Sequence, residues 1–238
     1  MPFLNLKIGS RKLISENAPK IFLISIIYLI FMTVMAELEF RLPGTVNAYS
    51  QFLERLAAGE IPGLKLLFSN LRLSGVALAT VLWVMSSVLS VGYMSYCLKI
   101  TRGISAGHKD LFDGFQFFLK VFIITIATTF LTILWSALFI FPGVVAHYRY
   151  RQAYYILLDD PSKSPMQCIS ESKRLMRGNK LDLFLLDLSF LGWFVLDLLV
   201  DIIIPLPFSF PVISILLKPY LGLTRASFYV ILLTKLLV

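Results

Sequence analysis

The sequence predicts an all-α, polytopic membrane helix bundle, and three observations carry that reading. The chain has 238 residues, of which 58% are hydrophobic and 15% charged. Soluble domains carry roughly 45–50% apolar and about 25% charged residues. Mean hydropathy is +0.80. The apolar residues fall in long runs, and Lys and Arg gather between alternate runs. Disorder is excluded, because disordered segments are polar and highly charged. With only two cysteines, a disulfide-stapled mini-protein is excluded as well.

A spanning helix needs about 20 mostly apolar residues to cross about 30 Å of hydrocarbon. The first run covers about 19–36 and follows Lys7, Arg11, Lys12 and Lys20. It exceeds a signal h-region and no small-residue cleavage site follows, so an uncleaved span is expected. The second, about 74–98, contains no charge. The third, about 118–141, ends at the Pro142-Gly143 turn signal. A weaker fourth, 143–158, carries His147, Arg149 and Arg151. The fifth, 181–204, contains Asp187, Asp197 and Asp201, and the sixth, 212–237, follows Pro205, Pro207 and Pro211. All are read as one integral membrane domain over residues 1–238.

Orientation follows from the Lys/Arg bias. Six spans with both termini in the cytoplasm place Lys99, Arg102, Lys109, Lys120 and the basic stretch 163–180 inside. Outside fall Arg41, Arg55, Lys65 and Arg72, balanced by Glu37, Glu39, Glu54 and Glu60. The expected location is the bacterial cytoplasmic membrane. The count depends on the fourth span, because without it the stretch 163–180 would lie outside. Of the net charge of +8, the simplest use is orientation and contact with anionic lipid rather than with nucleic acid. Cys97 and Cys168 are expected to be reduced and have no metal-ligand company.

Two further segments read as helices outside the spans. Residues 47–73 show apolar positions at helical spacing, broken at Ile61-Pro62-Gly63, as two interfacial amphipathic helices would. Ser164, Pro165 and Gln167 form a capping-box signature, and Gly178 is a stop. The basic helix between them offers Lys173, Arg174 and Arg177, with Lys180 just beyond, as a contact for anionic head groups or a partner. Asn179 is placed to cap the fifth span.

Ionisable groups inside spans are costly unless paired or wetted, which makes each a functional candidate. These are Asp187, Asp197, Asp201, Arg149, Arg151, Lys218 and Arg225. On one continuous helix the three aspartates share an arc of about 80°. Two readings stay open: a polar stripe that conducts a proton, ion or head group, and acid–base pairs that fix helix packing. No catalytic, cofactor-binding or metal-ligating residue is assigned. The two histidines lack ligand-spaced company, and neither a Walker loop nor Gly-x-Ser-x-Gly occurs. A non-enzymatic accessory, assembly or stress/immunity factor acting through a membrane-protein partner, or as a homo-oligomer, is the leading expectation. A small transporter or channel subunit using the acidic stripe comes next, and a membrane-embedded lipid-modifying enzyme last.

The C-terminal half carries a pattern. Its elements are Pro142-Gly143; Tyr150; Asp160-Pro161; Ser172, Met176, Gly178 and Lys180; Phe184, Ser189, Phe190, Gly192 and Trp193; Pro219-Tyr220; and Phe228-Tyr229, with DLFDGFQFFLK upstream. Over roughly residues 90–238 this resembles the uncharacterised bacterial membrane family catalogued as domain of unknown function nine hundred and seventy-five. The layout is also similar to the membrane domain joined to bacterial glycerophosphodiester phosphodiesterases, without their catalytic domain. The resemblance implies six spans and no activity. Asp187, Asp197, Asp201 and Lys218 are charges outside the family pattern. Within that pattern Gly192 reads as a close-packing position, and Pro219 as a local helix break.

Overall fold

The computed structural model describes residues 3–40, 55, 58–59, 73–203 and 212–237. Every regular element among them is helical, as expected of the all-α class. In order these are α1 (Phe3–Asn17), α2 (Lys20–Phe40), α3 (Leu73–Thr101), a 3-10 turn (His108–Phe112), α4 (Asp113–Gln116) and α5 (Phe118–Leu138). Then come α6 (Ile140–Tyr150), α7 (Ala153–Asp159), α8 (Pro165–Leu175), α9 (Lys180–Leu188), α10 (Leu191–Ile203) and α11 (Val212–Leu237). The chain falls into two compact units, one of Met1–Leu29 with Ser87–Val238 and the other of Ile30–Ser86. The smaller unit contains parts of α2 and α3 with outward apolar side chains such as Val34, Leu38 and Val81. The proposed amphipathic helices over 47–73 lie almost wholly outside the described residues.

Among the described residues five stretches are long and apolar enough to cross a membrane: Lys20–Glu39, Ala77–Thr101, Phe118–Leu138, Lys180–Val200 and Ile213–Lys235. Their outward faces carry Leu23, Phe130, Ile133, Leu198 and Leu216, which is the surface a hydrocarbon solvent requires. The expected fourth span takes a different form. Residues 140–159 make helices of 11 and 7 residues, α6 and α7, separated at Arg151-Gln152. Alone, each is too short for about 30 Å. Together they run back along α5. Gly143 faces Ser136 so closely that a Cβ would overlap it. Farther along, the Thr125 and Tyr154 hydroxyls bond at 2.9 Å, and Lys120 donates to the carbonyls of Pro161 at 2.5 Å and Lys163 at 3.1 Å. Those contacts run from the tip of the hairpin to its base, so the return leg has the full reach of α5.

The fifth span is also broken, between α9 and α10. The Phe190 amide donates to Asp187 O at 3.0 Å and the Trp193 amide to Phe190 O at 3.0 Å. Such i to i+3 bonds tighten the helix locally. The turn buries Phe190, which meets Tyr220 edge-on at 5.2 Å and has the Lys7 ammonium over its ring at 4.6 Å. Gly192, read above as a close-packing position, has open space around it among the described residues. Pro219, read as a helix break, lies inside a continuous α11.

The helix α1 was not legible in the sequence. It packs along α11, burying Leu6 and Ser10, and the Thr224 hydroxyl donates to Ser10 Oγ at 3.1 Å. In α8 the capping box forms: the Gln167 amide donates to Ser164 Oγ at 3.3 Å and the Ser164 amide to Gln167 Oε1 at 2.8 Å. Gly178 adopts φ +82°, the left-handed geometry glycine supplies after a helix. Asn179 sits before α9, but its side chain donates back to Leu175 O at 3.2 Å instead of capping forward.

The α3 helix crosses the 108–116 turn backbone to backbone. A Cβ on Gly92 would overlap the Leu111 carbonyl, and one on Gly114 the Val88 carbonyl. Lys99 then bridges Asp110 at 2.5 Å and Asp113 at 2.7 Å, and Ser95 donates to Asp113 at 2.7 Å. Gly92→Ala is expected to destabilise the purified protein by about 3 kcal/mol, the upper end of overpacking costs. Gly103→Ala, with open space around it and a positive φ, should cost about 1–2 kcal/mol, the strain of the left-handed backbone alone. Denaturation in mild detergent measures both.

Candidate functional site

Asp187 is the centre of the polar interior. It lies in the last turn of α9, and its carboxylate is only 12% exposed. Arg151, from the break between α6 and α7, donates Nη1 to Asp187 Oδ2 at 2.6 Å. Arg225, midway along α11, donates Nε to Oδ1 at 3.0 Å. The Tyr148 hydroxyl adds a bond to Oδ2 at 3.2 Å, and the Arg151 guanidinium lies 5.7 Å from the Tyr148 ring. One carboxylate therefore joins α6, α9 and α11. Charge-assisted bonds of this kind are the strong ones, and a low-dielectric setting makes the loss of either partner severe.

Lys218 lies seven residues before Arg225 on α11. Its ammonium sits 5.2 Å from the centre of the Tyr28 ring, a favourable cation–π position. No carboxylate pairs with it among the described residues. Lys218, Arg151, Arg225, Gln152, Tyr28 and Tyr93 line a cavity of about 300 Å³. Gln152 is 2% exposed, and among the described residues its carbonyl oxygen accepts no hydrogen bond. Of the cations that line the cavity, Arg151 and Arg225 share Asp187. A charge inside the bilayer costs about 2.5–3.5 kcal/mol on insertion scales.

The remaining intramembrane candidates lie elsewhere. Asp197, 8% exposed, accepts from the Ile213 amide at 3.1 Å and the Ser214 hydroxyl at 2.6 Å. It caps the start of α11, a favourable place for an anion. The Asp201 side chain lies outside the described residues. Arg149 stacks over Tyr150 at 6.0 Å, and Lys173 reaches the same ring at 5.6 Å. The single acidic stripe assumed a continuous helix over 181–204. The break at Ser189-Phe190 sends Asp187 and Asp197 to different partners. Of the basic contact residues, Arg174 and Arg177 are exposed, Lys180 is partly so, and Lys173 leans on α6.

Two networks were missed by sequence reasoning. One is Lys99 with Asp110 and Asp113, whose signal was a pair of acids three apart shortly after a span ending in lysine. The other is Arg102, Asp159 and Tyr229. Arg102 Nη1 lies 2.6 Å from Asp159 Oδ1, and the Tyr229 hydroxyl donates to Oδ2 at 2.6 Å. Asp159 was read only as part of a loop end. Among the described residues no group of three His, Cys, Asp or Glu side chains could hold a metal ion.

Asp187→Asn is expected to destabilise the protein by about 3–5 kcal/mol, because two guanidiniums lose their shared anion. Adding Arg151→Met should recover part of the loss, and detergent denaturation reads both. Beside α8, the Ser162 hydroxyl and amide bonds hold the Asp160 carboxyl below its usual pKa, and Glu171 holds the Lys163 ammonium above its own. The Asp160 contribution is present above the ordinary carboxylate pKa and is lost as pH falls through the lowered one. The Lys163 contribution is lost only as pH rises through the raised one. Hydrogen exchange of the Ser162 amide should accordingly be flat between about pH 5 and pH 9, once corrected for intrinsic rates, and deprotected on acidification below that window.

Residues 140–235 match the model of a family described as "Protein of unknown function (DUF975)". That is the family resembled above, matched over a shorter stretch than residues 90–238. No curated protein and no solved structure matches the chain.

Proposed function

With its segment 140–235 in that family, whose activity is unknown, we propose from the geometry that this is a non-enzymatic, multi-pass protein of the bacterial cytoplasmic membrane. It acts as an accessory or assembly factor through a membrane-protein partner, with both termini in the cytoplasm. The observation that carries the reading is the clamp of Arg151 and Arg225 on Asp187. Two of the three acids that suggested a conduit have structural tasks: Asp187 ties α6, α9 and α11, and Asp197, on α10, caps the start of α11. Outward on the basic side stand Arg174 of α8 and, just past its end, Arg177, both exposed, which suit anionic head groups or an acidic partner surface. The hairpin of α5 with α6–α7 supports the same topology, since it returns the chain to the side from which α5 starts.

A small transporter is the second reading, favoured by the cation-lined cavity between helices. Reporter fusions are expected to place residues 163–180 in the cytoplasm. Extraction in a gentle detergent should co-purify a stoichiometric membrane protein, and Arg174→Glu with Arg177→Glu should reduce its recovery severalfold. Ion flux in proteoliposomes that is abolished by Asp187→Asn, without loss of folded protein, would move the assignment to the transporter.

A further inference from the structure

We propose that the cavity between α3, α6–α7 and α11 is a binding site for a phosphate-bearing anion that also carries a hydroxyl: hydrogen phosphate, or the glycerol phosphate of a lipid head group. The inference is independent of the accessory reading.

Charge gives the class of ligand. Arg151, Arg225 and Lys218 line the cavity, and Asp187 neutralises one of them. Among the described residues Lys218 has no carboxylate partner and faces the Tyr28 ring. Among the described residues this leaves an excess of positive charge in a low-dielectric interior, which attracts an anion. Guanidinium and ammonium donors suit phosphoryl oxygens in particular.

A second observation gives the hydroxyl. Gln152 lines the cavity, and among the described residues its buried Oε1 accepts nothing, so the site has one acceptor to spare. A P–O–H or glycerol hydroxyl supplies the missing donor. The volume of about 300 Å³ is at the small end of ligand sites and holds a phosphoglycerol group. Depth gives the route. Arg225 is one turn from Tyr229, whose hydroxyl bonds the loop-end Asp159, while Lys218 is about 10 Å farther along α11. The cations therefore run inward from the polar layer of Arg102 and Asp159.

The test has two arms. Inorganic phosphate is titrated by calorimetry into the full chain in a non-ionic detergent, at constant ionic strength set with chloride. Separately, the protein is placed in phosphatidylcholine nanodiscs doped with phosphatidylglycerol, and retained lipid is counted by native mass spectrometry. Saturable one-to-one binding is expected in at least one arm. It should weaken at least about tenfold in Lys218→Met, the loss of one charge-assisted bond, and stay unchanged in Lys235→Met. Binding in the first arm names the free anion as the source, and binding confined to the second names the lipid. Should Lys218→Met aggregate, Lys218→Gln takes its place. No saturable binding in either arm, or parental affinity in the folded Lys218 variant, overturns the proposal.

Discussion

A charge in hydrocarbon must find its counter-charge inside the protein, and at Asp187 that requirement ties three helices together. Arg151 and Arg225 approach one carboxylate from different elements, at 2.6 and 3.0 Å. The clamp fixes where α9 ends, where the α6–α7 leg turns, and how α11 is rotated. Apolar packing alone would not choose among such rotations, because lipid tails are as apolar as leucine side chains. Just past Asp187 the Phe190 turn ends α9, and the chain restarts as α10, whose Asp197 caps the start of α11.

Much of the fold was legible because it was written in composition. The runs that became α2, α3 and α5 are long, nearly uncharged and bounded by polar residues, so length alone placed them. The α8 helix was legible for another reason: its capping box is a local interaction, complete within four residues. What was hidden depended on distant partners. The break at Ser189-Phe190 exists because Phe190 finds Tyr220 and Lys7, and nothing within 181–204 states that. The α1 helix was hidden likewise, its polar and small residues making sense only against α11.

The candidate site was half legible. Residue type singled out every member of the Asp187 clamp except Tyr148, since ionisable side chains in a span stand out. Their grouping was not legible, because a helical wheel assumes an unbroken helix. Gln152 was invisible for a simpler reason: a neutral amide beside two arginines carries no signal until its oxygen is seen without a donor.

The bond between Thr224 and Ser10 joins residues 214 positions apart. During synthesis α1 emerges first and has no surface to rest on until α11 has been inserted. Its packing against α11 must wait through the synthesis of every intervening helix. Loop-closure entropy grows only slowly with length, so it is the order of synthesis that puts the docking of α1 late in assembly. The membrane core can then be complete while the N-terminal helix is still undocked.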